Sequence, residues 1–242
     1  MDWESIKGAG KIVQNFSNIN LQAGKIKTRE FLNEIMREFA IVSTKIYDNT
    51  GDIPFLYKEK QLSSIFLPSF YNLKHYAIQE FPTKRTKAKN NISHGWLDYW
   101  VQKGDKWIYL LEVKHGWQFI NGSFRKDSED LIDSSINQLK QIGKKALIEI
   151  PYLDTTYKLS FVVMPGWYNI PNSEDIGEFD QYIIDQTDIS KTAATIVENL
   201  KNKVSWVGTW QIPSKMQISL NSDHVKNLRV FPCVFFIATI VD

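Results

Sequence analysis

The stretch from Gly95 to Trp117, GWLDYWVQKGDKWIYLLEVKHGW, constrains this chain more than any other. Two runs rich in Trp, Tyr, Leu, Ile and Val, residues that suit a pleated, half-buried surface, flank Lys103, Gly104 and Asp105, a turn signal. The pattern predicts a hairpin with strands over about 93–101 and 107–114. Yet Asp98 interrupts the first run and Glu112-Val113-Lys114 the second. Strand interiors disfavour such charges, and burying them unpaired is costly. The fold must solvate them or use them.

Side chains alternate across a strand, so Glu112 and Lys114 share one face while Leu111 and Val113 take the other. A three-residue turn centred on Gly104 pairs residue 101 with 107 and 98 with 110, and sets Asp98 diagonally from Glu112 on that face. A two-residue turn at Gly104-Asp105 would send Asp98 to the opposite face. Converging carboxylates beside a lysine suit a hard divalent cation, because Mg2+ takes one or two carboxylates with waters and phosphate oxygens. The competing reading is an exposed cross-strand ion pair of small energetic worth. The flanking apolar runs argue against full exposure.

The rest of the chain alternates helical and strand patterns. Residues 28–47 carry Phe31, Leu32, Ile35, Phe39 and Ile41 at helical spacing behind Thr28 as a cap. A second helix is predicted from Asp52, with Pro54 in its first turn and its end near Pro68. After the hairpin, Leu131, Ile132, Ile136, Leu139, Ile142 and Ala146 mark a helix from Asp127 to about Leu147. YKLSFVVMP reads as a buried strand, DISKTAATIVENLKNK as a helix, and VSWVGTW and CVFFIATIVD as late strands. Pro165 to Asp188 reads as an inserted loop. The expectation is one α/β domain over residues 1–242, with a helical region at about 1–50 and a central mixed β-sheet flanked by α-helices.

A hydrophobic fraction of 43% over 242 residues supports a full core. No apolar run approaches the roughly 18 to 20 residues of a membrane span, and MDWESIKGAGK lacks the apolar block of a secretory leader. The lone Cys233, within PCVFFIATIVD, reads as a small core residue in a reducing, cytoplasmic setting. A net charge of +2 does not by itself mark a nucleic-acid binder. The local cluster Lys84, Arg85, Lys87 and Lys89 reads either as a solvated loop or as a phosphate-contacting one. GAGK at Gly8 to Lys11 lacks the other positions of a Walker motif, and the four histidines show no zinc spacing. Trp96, Trp100, Trp107 and Trp117 are read as packing rather than base-stacking residues.

Asp98, thirteen intervening residues and then Glu112-Val113-Lys114 resemble the PD-(D/E)xK, or restriction-endonuclease-like, nuclease superfamily, with the resemblance covering mainly residues 55–165. Leu97 stands where the motif has proline. The resemblance implies a restriction-endonuclease-like core and a Mg2+- or Mn2+-dependent nuclease hydrolysing phosphodiester bonds, with DNA as the expected substrate, and a role in restriction or in defence against phage and mobile elements. It implies that Asp98, Glu112 and the Val113 carbonyl hold the metal and that Lys114 orients the attacking water and stabilises charge. Two further positions fit the pattern. Glu59 shares a helical sector with Phe55, Leu62 and Phe66, where the family carries an assisting glutamate, and Gln138 lies beside Leu131 and Ile142 as an auxiliary residue or an ordinary helix-edge glutamine. Ile142 replaces the tyrosine of some exonuclease branches. The alternative is a catalytically inactive nuclease-like module that binds nucleic acid or protein. Oligomeric state is left open.

Overall fold

The computed structural model describes residues 2–19, 23–86, 92–143, 155–171, 186–219 and 227–241. Among these, ten strands form one mixed sheet: β1 (Glu4–Ser5), β2 (Lys11–Ser17), β3 (Tyr76–Thr86), β4 (Ile92–Lys103), β5 (Trp107–His115), β6 (Gln118–Phe119), β7 (Thr156–Pro171), β8 (Trp206–Gln211), β9 (Ile218–Ser219) and β10 (Asn227–Val241). The helices are α1 (Ala23–Thr50), α2 (Ser63–Asn72), α3 (Lys126–Lys140) and α4 (Gln186–Leu200). The sheet order is β1-β2-β8-β10-β7-β5-β4-β3, with β6 beside β7 and β9 beside β10. All these pairings are antiparallel except β5 and β6 with β7. The α/β class with a central mixed sheet flanked by helices therefore holds.

Alternation along the strands divides the core. Tyr109, Leu111 and Val113 of β5, Leu159, Phe161 and Val163 of β7 and Phe236 of β10 face the side packed by Phe31, Ile35 and Phe39 of α1 and Phe66 and Phe70 of α2. Ile108 and Leu110 take the other face with Leu139 of α3, while Val162, Met164 and Phe235 meet Ile189, Ala193 and Ile196 of α4. Phe39 sits among the rings of Phe55, Phe66, Trp210 and Phe236.

Several expectations need correction. The first fifty residues are not all helical, since β1 and β2 precede α1. Their hairpin turns at the GAGK segment, where Gly8 and Gly10 have φ of 76° and 81° and Ile6 N–H donates to the Gly10 carbonyl. Thr28 is not a cap: α1 begins five residues earlier, and the Thr28 hydroxyl donates back to the Gly24 carbonyl. Asp52 does not open an α-helix. Two 3-10 turns, Pro54–Leu56 and Glu59–Leu62, come first, and α2 then runs through Pro68 to Asn72. Pro68 lies inside α2, where it supplies no N–H for the carbonyl of Ser64, an exposed residue. The helix expected to Leu147 is described to Lys140, and 144–150 lie outside the described residues. Pro165 to Pro171 is strand rather than loop, because β10 pairs with β7 as far as Pro171. Of the rest of that expected loop, 172–185 lie outside the described residues and 186–188 belong to α4. Lys84 and Arg85 also belong to a strand, β3, paired with His94 and Ser93.

The hairpin turn has three residues, as expected, but its centre lies one residue further on. Lys103 pairs with Trp107, and Val101 with Tyr109. The centre is Asp105 rather than Gly104, and Gly104 supplies φ of 59° within the turn. This shift moves the pairing by two residues, so the parity that decides which face a side chain takes is preserved.

Candidate active site

Strand β4 leaves β5 at Asp98. Their pairing runs from Lys103–Trp107 to Tyr99–Leu111 and ends there, while β4 stays paired to β3 as far as Ile92. The backbone is irregular at this point. Gln79 pairs with Tyr99 and Phe81 with Leu97, so Glu80 and Asp98 fall between them, and Glu80 takes φ of 51°. Alternation also slips: Tyr99 and Val101 join the α1 side of the core, yet Leu97 lies with Trp100 on the α3 side. A local break in the pleat re-aims a side chain. Here it turns the Asp98 carboxylate toward β5.

Asp98 Oδ2 accepts the Val113 backbone N–H at 2.7 Å, so a side chain replaces the ladder bond that the departing strand no longer makes. In an extended strand the N–H and C=O of one residue project to the same edge. The Val113 carbonyl therefore projects toward the same opening as Asp98. Beside it, Glu112 is 3% exposed and is met by two cations: Lys114 Nζ lies 3.3 Å from Oε1 and Arg85 Nη2 3.3 Å from Oε2. Lys114 also reaches Glu59 Oε1 at 3.4 Å.

These contacts are longer than the 2.7–2.9 Å of a strong charge-assisted bond. The electrostatics reflect that shortfall. Burial, reinforced by the Asp98 charge, pushes the Glu112 carboxyl up to about 7 against the opposing pull of Lys114 and Arg85. Burial likewise raises Asp98, with the Val113 N–H and Lys114 acting against it and Glu59 adding to it. For Lys114, burial disfavours the charge, but Glu112, Asp98 and Glu59 outweigh it and the ammonium is held more firmly than usual. The site thus carries buried negative charge that its own cations do not fully compensate, and a hard cation would relieve it. Among the described residues no group of three or more His, Cys, Asp or Glu side chains is arranged to hold a metal. The donor set on offer is the two carboxylates and the Val113 carbonyl, which fits an ion that fills its remaining positions with water and phosphate oxygens.

Arg85 is the member whose role the sequence obscured. In place of an open phosphate contact, its Nη2 donates to the Trp96 carbonyl and to Glu112, and its side chain is 12% exposed. Gly95 makes room for it: a Cβ there would stand 2.6 Å from Arg85 Nε. Lys84 is exposed on β3, and Lys87 and Lys89 lie outside the described residues. Arg85 pairs with Ser93, and its side chain reaches back diagonally over Gly95, whose missing side chain is the signal that could have placed it.

Glu59 does not interrupt a core-facing helical stripe. It opens a 3-10 turn, remains exposed, and meets the site through Lys114. The helical wheel fails because 3-10 geometry advances by about 120° per residue rather than 100°. Gln138 is half-buried on α3, and its Oε1 is buried without a hydrogen-bond partner. Ser135, one turn earlier, donates to Ser160, whose strand position pairs with Glu112. His115 turns away from Glu112, as alternation requires, and its Nε2–H donates to the Phe55 carbonyl at 2.8 Å. That bond identifies a structural histidine. Cys233 is fully buried in the core.

Comparison with family models, curated proteins and solved structures returned no match. Among the described residues no helix is long and apolar enough to cross a membrane.

Proposed function

We propose that this chain is a divalent-metal-dependent nuclease with a restriction-endonuclease-like core, hydrolysing phosphodiester bonds of DNA in the cytoplasm. The observation that carries the reading is the gathering of Asp98, Glu112, the Val113 carbonyl and Lys114 where β4 parts from β5. The buried Glu112 and half-buried Asp98 carboxylates, with the two cations no closer to Glu112 than 3.3 Å, suit a hard cation better than they suit a structural ion pair.

Asp98, Glu112 and the Val113 carbonyl would hold Mg2+ or Mn2+, which when bound polarises a phosphate oxygen and lowers the pKa of a coordinated water. Lys114 has the geometry to stabilise charge developing on the phosphate, because its ammonium is kept protonated beside Glu112. Glu59 holds Lys114 from the other side and limits its rotamers. Arg85 would also be available to a phosphate oxygen, since its 3.3 Å contact with Glu112 is long and a guanidinium suits phosphate well.

The same cation contacts favour a second reading, in which Arg85 and Lys114 permanently satisfy Glu112 and the chain is a non-catalytic binding module. One experiment separates the two. The purified protein is incubated with Mg2+ or Mn2+ and duplex and single-stranded DNA and RNA, with Asp98→Ala and Lys114→Ala alongside. Metal-dependent cleavage that both variants lose supports the nuclease. Inertness on every substrate, or variants that cleave as fast as the parent, overturns it.

A further inference from the structure

We propose that the cleft lined by Trp117, Arg125, Trp167, Arg229 and Phe231 receives one unpaired nucleotide of the substrate strand, its base against the tryptophans and its phosphate against the arginines. The inference rests on the nuclease reading and names the form of nucleic acid engaged.

The cleft encloses about 160 Å³. Pockets for drug-sized ligands begin at roughly 300 Å³, so this one suits a single planar ring system with its phosphate rather than an extended ligand. Among the described residues its lining contains two arginines and no acid. The Arg229 guanidinium lies 5.1 Å from the Trp167 ring centroid, and its Nε is buried without a hydrogen-bond partner. Buried donors are nearly always paired. Arg229 is instead held over an aromatic face, an arrangement that leaves its fork suited to a phosphate. Arg125 bonds Asp127 at 2.8 Å, but both side chains are exposed, and such a pair exchanges readily for another anion.

The aromatic walls are fixed in advance. Trp117 packs its ring against His115 at 4.9 Å and Phe231 at 5.8 Å, and Trp167 meets Phe119 at 5.0 Å. Rigid aromatic surfaces bind bases of any sequence by stacking. Position supports the same occupant. Trp117 follows β5, and Trp167 lies on β7 beyond Val163, the last residue paired with β5, so both stand past the carboxyl end of the parallel pair, where open α/β sheets bind ligands. Trp117 lies three residues after Lys114, a separation of at most about 11 Å along the backbone. A strand held at the carboxylates can therefore reach the cleft. Tryptophan faces also favour a planar base over the carboxylates of an acidic peptide.

The test is fluorescence anisotropy of a short labelled single-stranded oligonucleotide with the full chain in chelator, so that binding is read without cleavage. Arg229→Gln, Arg125→Gln and an abasic oligonucleotide of equal length should each weaken binding by about 5- to 100-fold. Arg125 is exposed, so its variant keeps the test open if Arg229→Gln does not fold. Equal binding of the abasic and base-containing strands, unchanged affinity in Arg125→Gln, or equally effective competition by an acidic peptide would each overturn the proposal. Base-dependent binding without metal-dependent cleavage leaves the cleft standing and removes the nuclease reading. Cleavage with no base dependence does the reverse.

Discussion

The Asp98 carboxylate caps the Val113 backbone N–H at 2.7 Å, just beyond Tyr99–Leu111, the last β4–β5 pair. This single contact ties a candidate metal ligand to the backbone of the strand carrying the other ligands. It also separates two effects of mutation. Asp98→Asn keeps an acceptor for the N–H and should leave stability within about 1 kcal/mol, yet reduce cleavage by at least about 100-fold. Asp98→Ala orphans the N–H and should cost a further 1–3 kcal/mol, roughly, in denaturant unfolding.

Glu112 should give the protein a pH-dependent weakness. Its carboxyl is raised from 4.5 to about 7, so the folded state keeps a proton that the unfolded chain has already lost. Stability from this group is therefore lost as pH rises from about 4.5 through 7, by on the order of 3 kcal/mol in total. Unfolding in chelator between pH 5 and pH 8 should show this fall for the parent and not for Glu112→Gln. Parallel profiles for the two proteins would contradict the assignment.

Gly95→Ala should disturb the site from a distance. The new Cβ would overlap Arg85 Nε and Cδ, so the guanidinium must move away from Glu112. A stability loss of about 1–3 kcal/mol is expected, together with altered cleavage. Gly104→Ala is the control: no atom lies within 4 Å of its added Cβ, and its φ of 59° costs about 1 kcal/mol with activity retained.

Glu59 and Lys114 should differ sharply despite their contact. Glu59 is exposed, so Glu59→Ala should change stability by less than about 0.5 kcal/mol and slow cleavage about tenfold through Lys114. Lys114→Ala should slow cleavage by about 10²- to 10³-fold. Equal effects of the two substitutions on initial rates would remove the proposed distinction between Glu59 as a positioning group and Lys114 as a catalytic one.

In the core, Phe39→Ala should cost roughly 3–5 kcal/mol. Phe39 is fully buried, and four aromatic rings close around it. Chemical denaturation measures the loss.

The elements with strong periodicity were legible in sequence. The aromatic hairpin, the amphipathic helix after it and the buried strand YKLSFVVMP all carry patterns that survive any packing, because burial of one face requires them. Less legible were the two-residue β1, which pairs with β2, and the seven-residue β2, which gains its other pairing from β8, nearly two hundred residues away. The 3-10 turns around Glu59 were hidden for a related reason: Phe55, Leu62 and Phe66 are buried whether the backbone is α or 3-10, so spacing alone misassigned the face of Glu59.

By itself the sequence determined which charges had to be dealt with: Asp98, Glu112 and Lys114 stand within strand-forming runs, where their hydration must be replaced. It also determined that Glu112 and Lys114 share a face, since side chains alternate along one strand. Tertiary structure decided the rest. The departure of β4 from β5 at Asp98 opened the space into which that carboxylate and the Val113 carbonyl project. The β3–β4 pairing then delivered Arg85 past Gly95 to Glu112. Neither follows from local spacing, because both depend on where one strand stops pairing with its neighbour, and that is set by long-range packing.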